Sequence, residues 1–114
     1  MKEFGNSREF LFGSEIPWET VGDGVERQIL GFDRSVMMVN VKFRKGAIGP
    51  VHQHYHTQVS HVIHGKFEMT IDNVSKILEK GDSFYVPPNV PHGTICLEDG
   101  ILLDVFSPLR EDFM

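Results

Sequence analysis

Between Val36 and Phe43 the chain alternates. Met37, Val39, Val41 and Phe43 fall on one side, and Met38, Asn40 and Lys42 on the other. A two-residue period marks a strand with one buried face. The period recurs from Lys66 to Asp72, where Phe67, Met69 and Ile71 oppose Glu68, Thr70 and Asp72. Further short strands are expected at Val25–Leu30, Val74–Leu78, Ser83–Val86, His92–Leu97 and Ile101–Phe106. Turn signals separate them at Gly22-Asp23-Gly24, Gly31-Phe32-Asp33, Lys45-Gly46, Asp72-Asn73 and Glu79-Lys80-Gly81. Val51 to Ile63 is long enough for two strand segments or one bent strand, and His64-Gly65 reads as a hairpin turn after it. No stretch carries a convincing helical pattern. Many short strands with close turns imply an all-β sandwich or barrel.

Two segments depart from simple one-face patterning. Residues 1–24 set Phe10, Leu11, Phe12 and Trp18 among Gly, Ser, Glu and Pro17. They read as an arm, outside a barrel at residues 25–114, that lies on its own domain or on a second subunit. The strand Ile101–Phe106 is apolar on both faces apart from Asp104. A barrel strand needs only one buried face, so the second implies burial against another copy or under the arm. A homodimer is the expectation.

A chain of 114 residues normally forms one domain with one core. A net charge of −5 argues against nucleic acid and anionic membranes as partners, because both require clustered Lys and Arg. No run is long enough to span a bilayer, and the N-terminal residues have no signal-peptide pattern. The single cysteine, Cys96, cannot form an internal disulfide. These features favour the cytoplasm.

The chemistry concentrates in one tract. Five of the six histidines lie between His52 and His64, beginning His52-Gln53-His54-Tyr55-His56-Thr57-Gln58. If that tract is extended, His52, His54, His56 and Gln58 share a face. Alternate imidazoles converge well on one metal ion, and an amide oxygen adds a harder ligand. The alternative is a polar, solvated strand. By parity His61 points the other way, and His64 sits beside Gly65; both read as surface residues. A second punctuated stretch, Gly81-Asp82-Ser83-Phe84-Tyr85-Val86-Pro87-Pro88-Asn89-Val90-Pro91-His92, delivers one more histidine after a stiff loop.

Together these stretches resemble the two cupin motifs. Gly46-x5-His52-x-His54-x3-Gln58-x6-Gly65 resembles the first, with Gln58 where Glu is usual. Gly81-x5-Pro87-x-Asn89-x2-His92 resembles the second, with Asn89 replacing a glycine. The resemblance implies a cupin double-stranded β-helix, the jelly-roll barrel, with His52, His54, Gln58 and His92 holding one divalent transition metal. Imidazole suits nickel, zinc, iron and manganese alike. Three imidazoles and an amide leave the ion its full charge, which favours an anionic ligand and disfavours higher oxidation states. His56 competes for a ligand position, but the family pattern passes over it. Cys96 shares parity with His92, and its ordinary role is a small buried hydrophobe.

The C-terminal stretch Asp104-Val105-Phe106-Ser107-Pro108-Leu109-Arg110-Glu111-Asp112-Phe113 extends the resemblance to one subgroup. These are the small cupins that convert unsaturated uronate monosaccharides of pectin and alginate breakdown to their linear keto form. That resemblance implies Asp104 as catalytic acid/base, Arg110 acting with it and binding an anionic sugar substrate, and Phe106 lining the pocket. Thr57 departs from the Glu often found beside the Gln in that subgroup. Read from the residues alone, Asp104 and Arg110 form a structural ion pair, or the tail carrying Arg110 is solvated. Two other functions fit the same pattern: an iron-dependent cupin dioxygenase, or a non-catalytic small-ligand binder.

Overall fold

The computed structural model describes residues 5–114; residues 1–4 of the expected arm lie outside them. Eight strands follow in order: β1 (Glu19–Gly22), β2 (Val25–Asp33), β3 (Val36–Phe43), β4 (Ile48–His52), β5 (Thr57–Ile71), β6 (Val74–Glu79), β7 (Ser83–Val86) and β8 (His92–Ser107). Two one-turn 3-10 helices, Gly13–Glu15 and Glu111–Phe113, are the helical elements among the described residues. Neither is long and apolar enough to cross a membrane. The expected all-β architecture is present.

The organising pair is β5 against β8, antiparallel from Thr57↔Ser107 to Ile71↔His92. The first half of β5 also pairs with β7 and the second half with β6. The first half of β8 pairs with β4 and the second half with β3, which leads out to β2 and β1. Each long strand therefore serves two half-sheets and turns a corner between them. The corner falls where the β5–β8 register slips, between Val62 and Phe67. Gly65 has φ +87 there, and a Cβ on it would lie 2.5 Å from the Asp99 carbonyl oxygen. A Cβ on Gly100 would lie 2.5 Å from the His64 carbonyl oxygen. Only glycine fits two backbones that close.

Several strand boundaries differ from the sequence reading: β1, within residues 1–24, was not expected, and the expected Gly31-Phe32-Asp33 turn lies inside β2, where the register with β3 slips. His64-Gly65 is not a hairpin turn, because Gly65 is a bulge inside β5. A glycine with positive φ serves either structure, and the pairing partner decides. The expected break between Leu97 and Ile101 is the matching corner inside β8. Of the two alternatives for Val51–Ile63, the structure has two segments: β4 stops at His52 and β5 starts at Thr57. The His54 carbonyl, which a continuing strand would offer to its ladder, instead accepts the Asn89 amide at 2.7 Å.

Inside the barrel, alternate residues stack in rows across strands: Met37, Phe106, Gln58 and Val86, then Val39, Asp104, Ser60 and Phe84. Below them Val25, Phe43, Val62, Phe67, Cys96 and Leu102 form an apolar floor. Cys96 is the small buried hydrophobe expected. Met37, Val39, Phe106 and Leu109 form a second apolar cluster. The polar side chains thus share their rows with this second cluster and lie above the apolar floor. The described part of the arm lies on its own barrel. The Gln28 side chain donates to the Gly13 and Ile16 carbonyls, and the Ser7 amide donates to the Phe32 carbonyl. Phe10 and Phe12 nonetheless remain 82% and 63% exposed.

Candidate metal centre

His52 closes β4 and His92 opens β8, and the two are direct cross-strand partners with ring centroids 4.4 Å apart. Gly93 permits this approach, since a Cβ there would lie 3.0 Å from the Gly49 carbonyl oxygen. His54 arrives from the bend between β4 and β5. That bend is tied to Asn89, whose φ of +63 closes the Pro87–Pro91 loop. Asn tolerates this left-handed conformation better than most non-glycine residues. The His54 ring lies 4.9 Å from that of His92 and 5.6 Å from that of His52.

The three rings are oriented by one device. Each Nδ1 contacts a backbone carbonyl: His52 to Pro50 at 2.9 Å, His54 to His56 at 3.0 Å, and His92 to Val90 at 2.9 Å. A carbonyl only accepts, so each Nδ1 carries the proton and each Nε2 presents a lone pair. One ligand atom from each ring lies within 4.8 Å of the others. The His92 Nε2 is buried and has no hydrogen-bond partner. Burial, its main perturbation, lowers the His92 pKa to about 4. Burial and then the charge of Arg110 lower that of His54. Both rings therefore favour the neutral form that a metal requires.

Gln58, buried near the start of β5, completes the cluster. Its amide nitrogen donates to Ser60 Oγ at 3.0 Å, and Ser60 donates to Asp104 Oδ1 at 2.6 Å. That polarity turns Gln58 Oε1 toward His54 Nε2, 3.1 Å away. Two acceptors facing each other repel unless a cation lies beside both. Ligands bound at ~2.1 Å and at right angles to each other lie ~3 Å apart. The donor set and its spacing fit a divalent metal.

A cupin domain model matches residues 39–106, a span containing the triad, Gln58, Asp104 and both corner glycines. The chain belongs to the cupin family. This cupin is 43% identical over 109 residues to the pectin degradation protein KdgF of Dickeya dadantii, covering 94% of this chain and 99% of that one. An RmlC-like cupin from Shewanella frigidimarina is 50% identical and superimposes with a TM-score of 0.95, over 97% of this chain and all of that one. KdgF from a Halomonas species is 36% identical, with a TM-score of 0.91 over 95% of this chain and all of that one.

The lumen of the cupin is a cavity of about 330 Å³ lined by His52, Gln58, His92, Asp104, Phe106 and Arg110, among others. Asp104 is 8% exposed, and burial pushes its pKa up to about 6, opposed by the Ser60 hydrogen bond and by Arg110. The Asp104–Arg110 ion pair considered from the sequence does not form. Arg110 instead grips Asp112 through Nε at 3.0 Å and Nη2 at 2.7 Å. Its guanidinium lies 4.9 Å from the Phe106 ring centre and 4.2 Å from that of Phe113. His56 is buried but outside the triad, stacked on Tyr55 with ring centroids 4.0 Å apart. Neither of its ring nitrogens has a hydrogen-bond partner. His61 and His64 are exposed. A larger open depression of about 610 Å³ near Lys66 and Glu79 holds no converging ligand set.

Among the polar lumenal residues that escaped the sequence reading are Ser60 and Arg27. Ser60 was discoverable, because it shares strand parity with Gln58. Arg27 lines the cavity with its guanidinium 3.9 Å from the Phe113 ring centre, a contact between residues far apart in the chain.

In metal-free protein, ring NMR should find His92 protonated on Nδ1 alone at neutral pH, with a titration midpoint near 4. Because its folded pKa is depressed, its contribution to stability is complete above ~6.5 and drains as pH falls toward ~4. A midpoint near 6.5 would show a solvated ring and contradict the site geometry.

Proposed function

We propose that this cupin is a metal-dependent enzyme converting unsaturated uronate monosaccharides, of the 4,5-unsaturated galacturonate type, to linear 5-keto-4-deoxyuronate by ring opening and tautomerisation. One observation carries this reading: a cation-seeking acceptor cluster, a buried carboxyl and a guanidinium meet in one cavity. They do so in a chain 43% identical, over nearly its whole length, to a pectin degradation protein.

His52, His54, His92 and the Gln58 amide oxygen would hold one nickel, zinc, iron or manganese ion. A bound divalent ion supplies Lewis-acid polarisation of a substrate oxygen. All four ligands are neutral, so the lumen attracts a carboxylate. Arg110 spends Nε and Nη2 on Asp112, which leaves Nη1 to receive that carboxylate. The Phe106 ring, 5.7 Å from that of His54, forms the apolar wall beside it.

Substrate and product are isomers, so the work is proton relocation. The anomeric hydroxyl loses a proton and the ring oxygen gains one as the ring C–O bond at the anomeric carbon breaks, and the resulting enol then gains a proton on carbon while losing one from oxygen. Asp104 is the lumenal carboxyl placed to move these protons. With its pKa raised to about 6, it is mostly ionised at neutral pH yet accepts a proton readily, the condition for efficient acid/base help.

The assembly we propose is a homodimer. Met38, Val105, Val59 and Tyr85 form a row across the outer face, flanked by Leu103 and Ile63. Met38, Val59, Ile63 and Tyr85 are exposed in the single chain, as are Phe10 and Phe12 of the arm. A second copy would cover both. With one buried thiol and no disulfide, the cytoplasm suits the protein.

Asp104→Asn should lower turnover of an unsaturated uronate by ~10² or more. At saturating metal it should still be loaded, and it should keep or raise the melting temperature, since it removes a buried charge. Arg110→Ala should raise KM more than it lowers kcat. If Asp104→Asn unfolds most of the protein and the folded remainder is fully active, the carboxyl is structural. Product should form without oxygen; oxygen consumption would favour the iron dioxygenase. Light scattering should report twice the 13.0 kDa chain mass at micromolar concentration; a monomer would contradict the assembly.

A further inference from the structure

Gln58 faces a choice that its own chemistry does not settle. An amide can present oxygen or nitrogen to His54 Nε2, 3.1 Å from the present oxygen. In metal-free protein the nitrogen is locally the better choice, because it would donate a hydrogen bond to the imidazole lone pair. That arrangement would close the cluster against a cation.

The opposite side of the amide decides. We propose that the Ser60 hydroxyl is the positioning group that holds Gln58 with its oxygen toward the imidazole triad. The proposal rests on the reading of the triad as a metal site. Ser60 is 4% exposed and sits directly across β5–β8 from Asp104. Its only proton goes to Asp104 Oδ1 at 2.6 Å, so toward Gln58 it can only accept, which it does from the amide nitrogen at 3.0 Å. A flipped amide would set its oxygen against Ser60 Oγ, two acceptors in a buried site with no proton between them. The carboxylate therefore fixes the hydroxyl, the hydroxyl fixes the amide, and the amide oxygen is held ready for a cation.

Without the hydroxyl most of the penalty on the flipped amide goes, leaving only the weaker interaction of the amide with Asp104. Gln58 can then lock onto His54, and a metal must break that bond to bind. The effect is specific to an amide, because a carboxylate at position 58 presents oxygen whichever way it turns.

The test is Co²⁺ titration of the full-length, metal-stripped protein, followed by visible absorption. Ser60→Ala should weaken Co²⁺ binding by ~10–100-fold, the usual scale for losing a group that orients a ligand. Ser60→Thr, which keeps the hydroxyl, should restore it. In a Gln58→Glu background the same Ser60→Ala change should cost less than ~threefold, since the two effects are then uncoupled. Undiminished binding by Ser60→Ala would overturn the proposal. So would equal losses in both backgrounds, because Ser60 would then be a general structural element. If the parent protein takes up no Co²⁺ at all, the metal reading itself falls, an outcome distinct from either.

Discussion

The structure depends on two long strands that stay paired while both turn the same corner. At Gly65 and Gly100 the backbones of β5 and β8 pass so closely that a Cβ on either glycine would lie 2.5 Å from a carbonyl oxygen of the other strand. That contact folds one sheet into two facing halves and creates the lumen. It also determines what the lumen contains. Pairing on one side of the corner sets Gln58, Ser60, Asp104 and Phe106 facing inward, and pairing on the other side brings His92 to the end of the ladder opposite His52. Fold and site share one register, and a slip of one residue would turn every lumenal group outward.

The polar groups inside are expensive. A carboxyl, an amide, a hydroxyl and the His92 imidazole are buried, where each unpaired atom costs free energy, while His54 is half-buried and His52 reaches solvent. Most of that cost is met internally: three carbonyls take the three Nδ1 protons, and Asp104, Ser60 and Gln58 satisfy one another in series. What remains is a set of lone pairs on His52, His54, His92 and Gln58 with no donor to meet them. Such a remainder destabilises a protein unless something fills it, and the chemistry of the donors selects a divalent cation. In the function proposed, the cation, Arg110 as carboxylate binder and Asp104 as proton carrier would form one working unit.

Much of this was legible in the chain. Alternation located most strands, and the histidine tract with the Pro87–His92 loop pointed to the family. What misled was parity. His52, His54 and Gln58 do converge around one point, but not as successive residues on one face of a strand. The chain leaves the sheet between them, because a hydrogen bond from Asn89, more than thirty residues away, captures the His54 carbonyl. Gly65 misled for a related reason: a glycine announces an unusual backbone without saying whether the strand reverses or bulges. Arg110 was expected either free or on Asp104, yet its partner is Asp112, two residues along. A 3-10 turn set by local backbone makes that contact, and no hydrophobic period encodes it.

The most direct test is a crystal structure of protein loaded with a first-row metal, with the ion located by anomalous scattering. One ion should be bound to Nε2 of His52, His54 and His92 and to Gln58 Oε1, at ~2.0–2.2 Å, with His56 uncoordinated. An ion held by His56, or protein that binds no ion under saturating metal, would contradict the account.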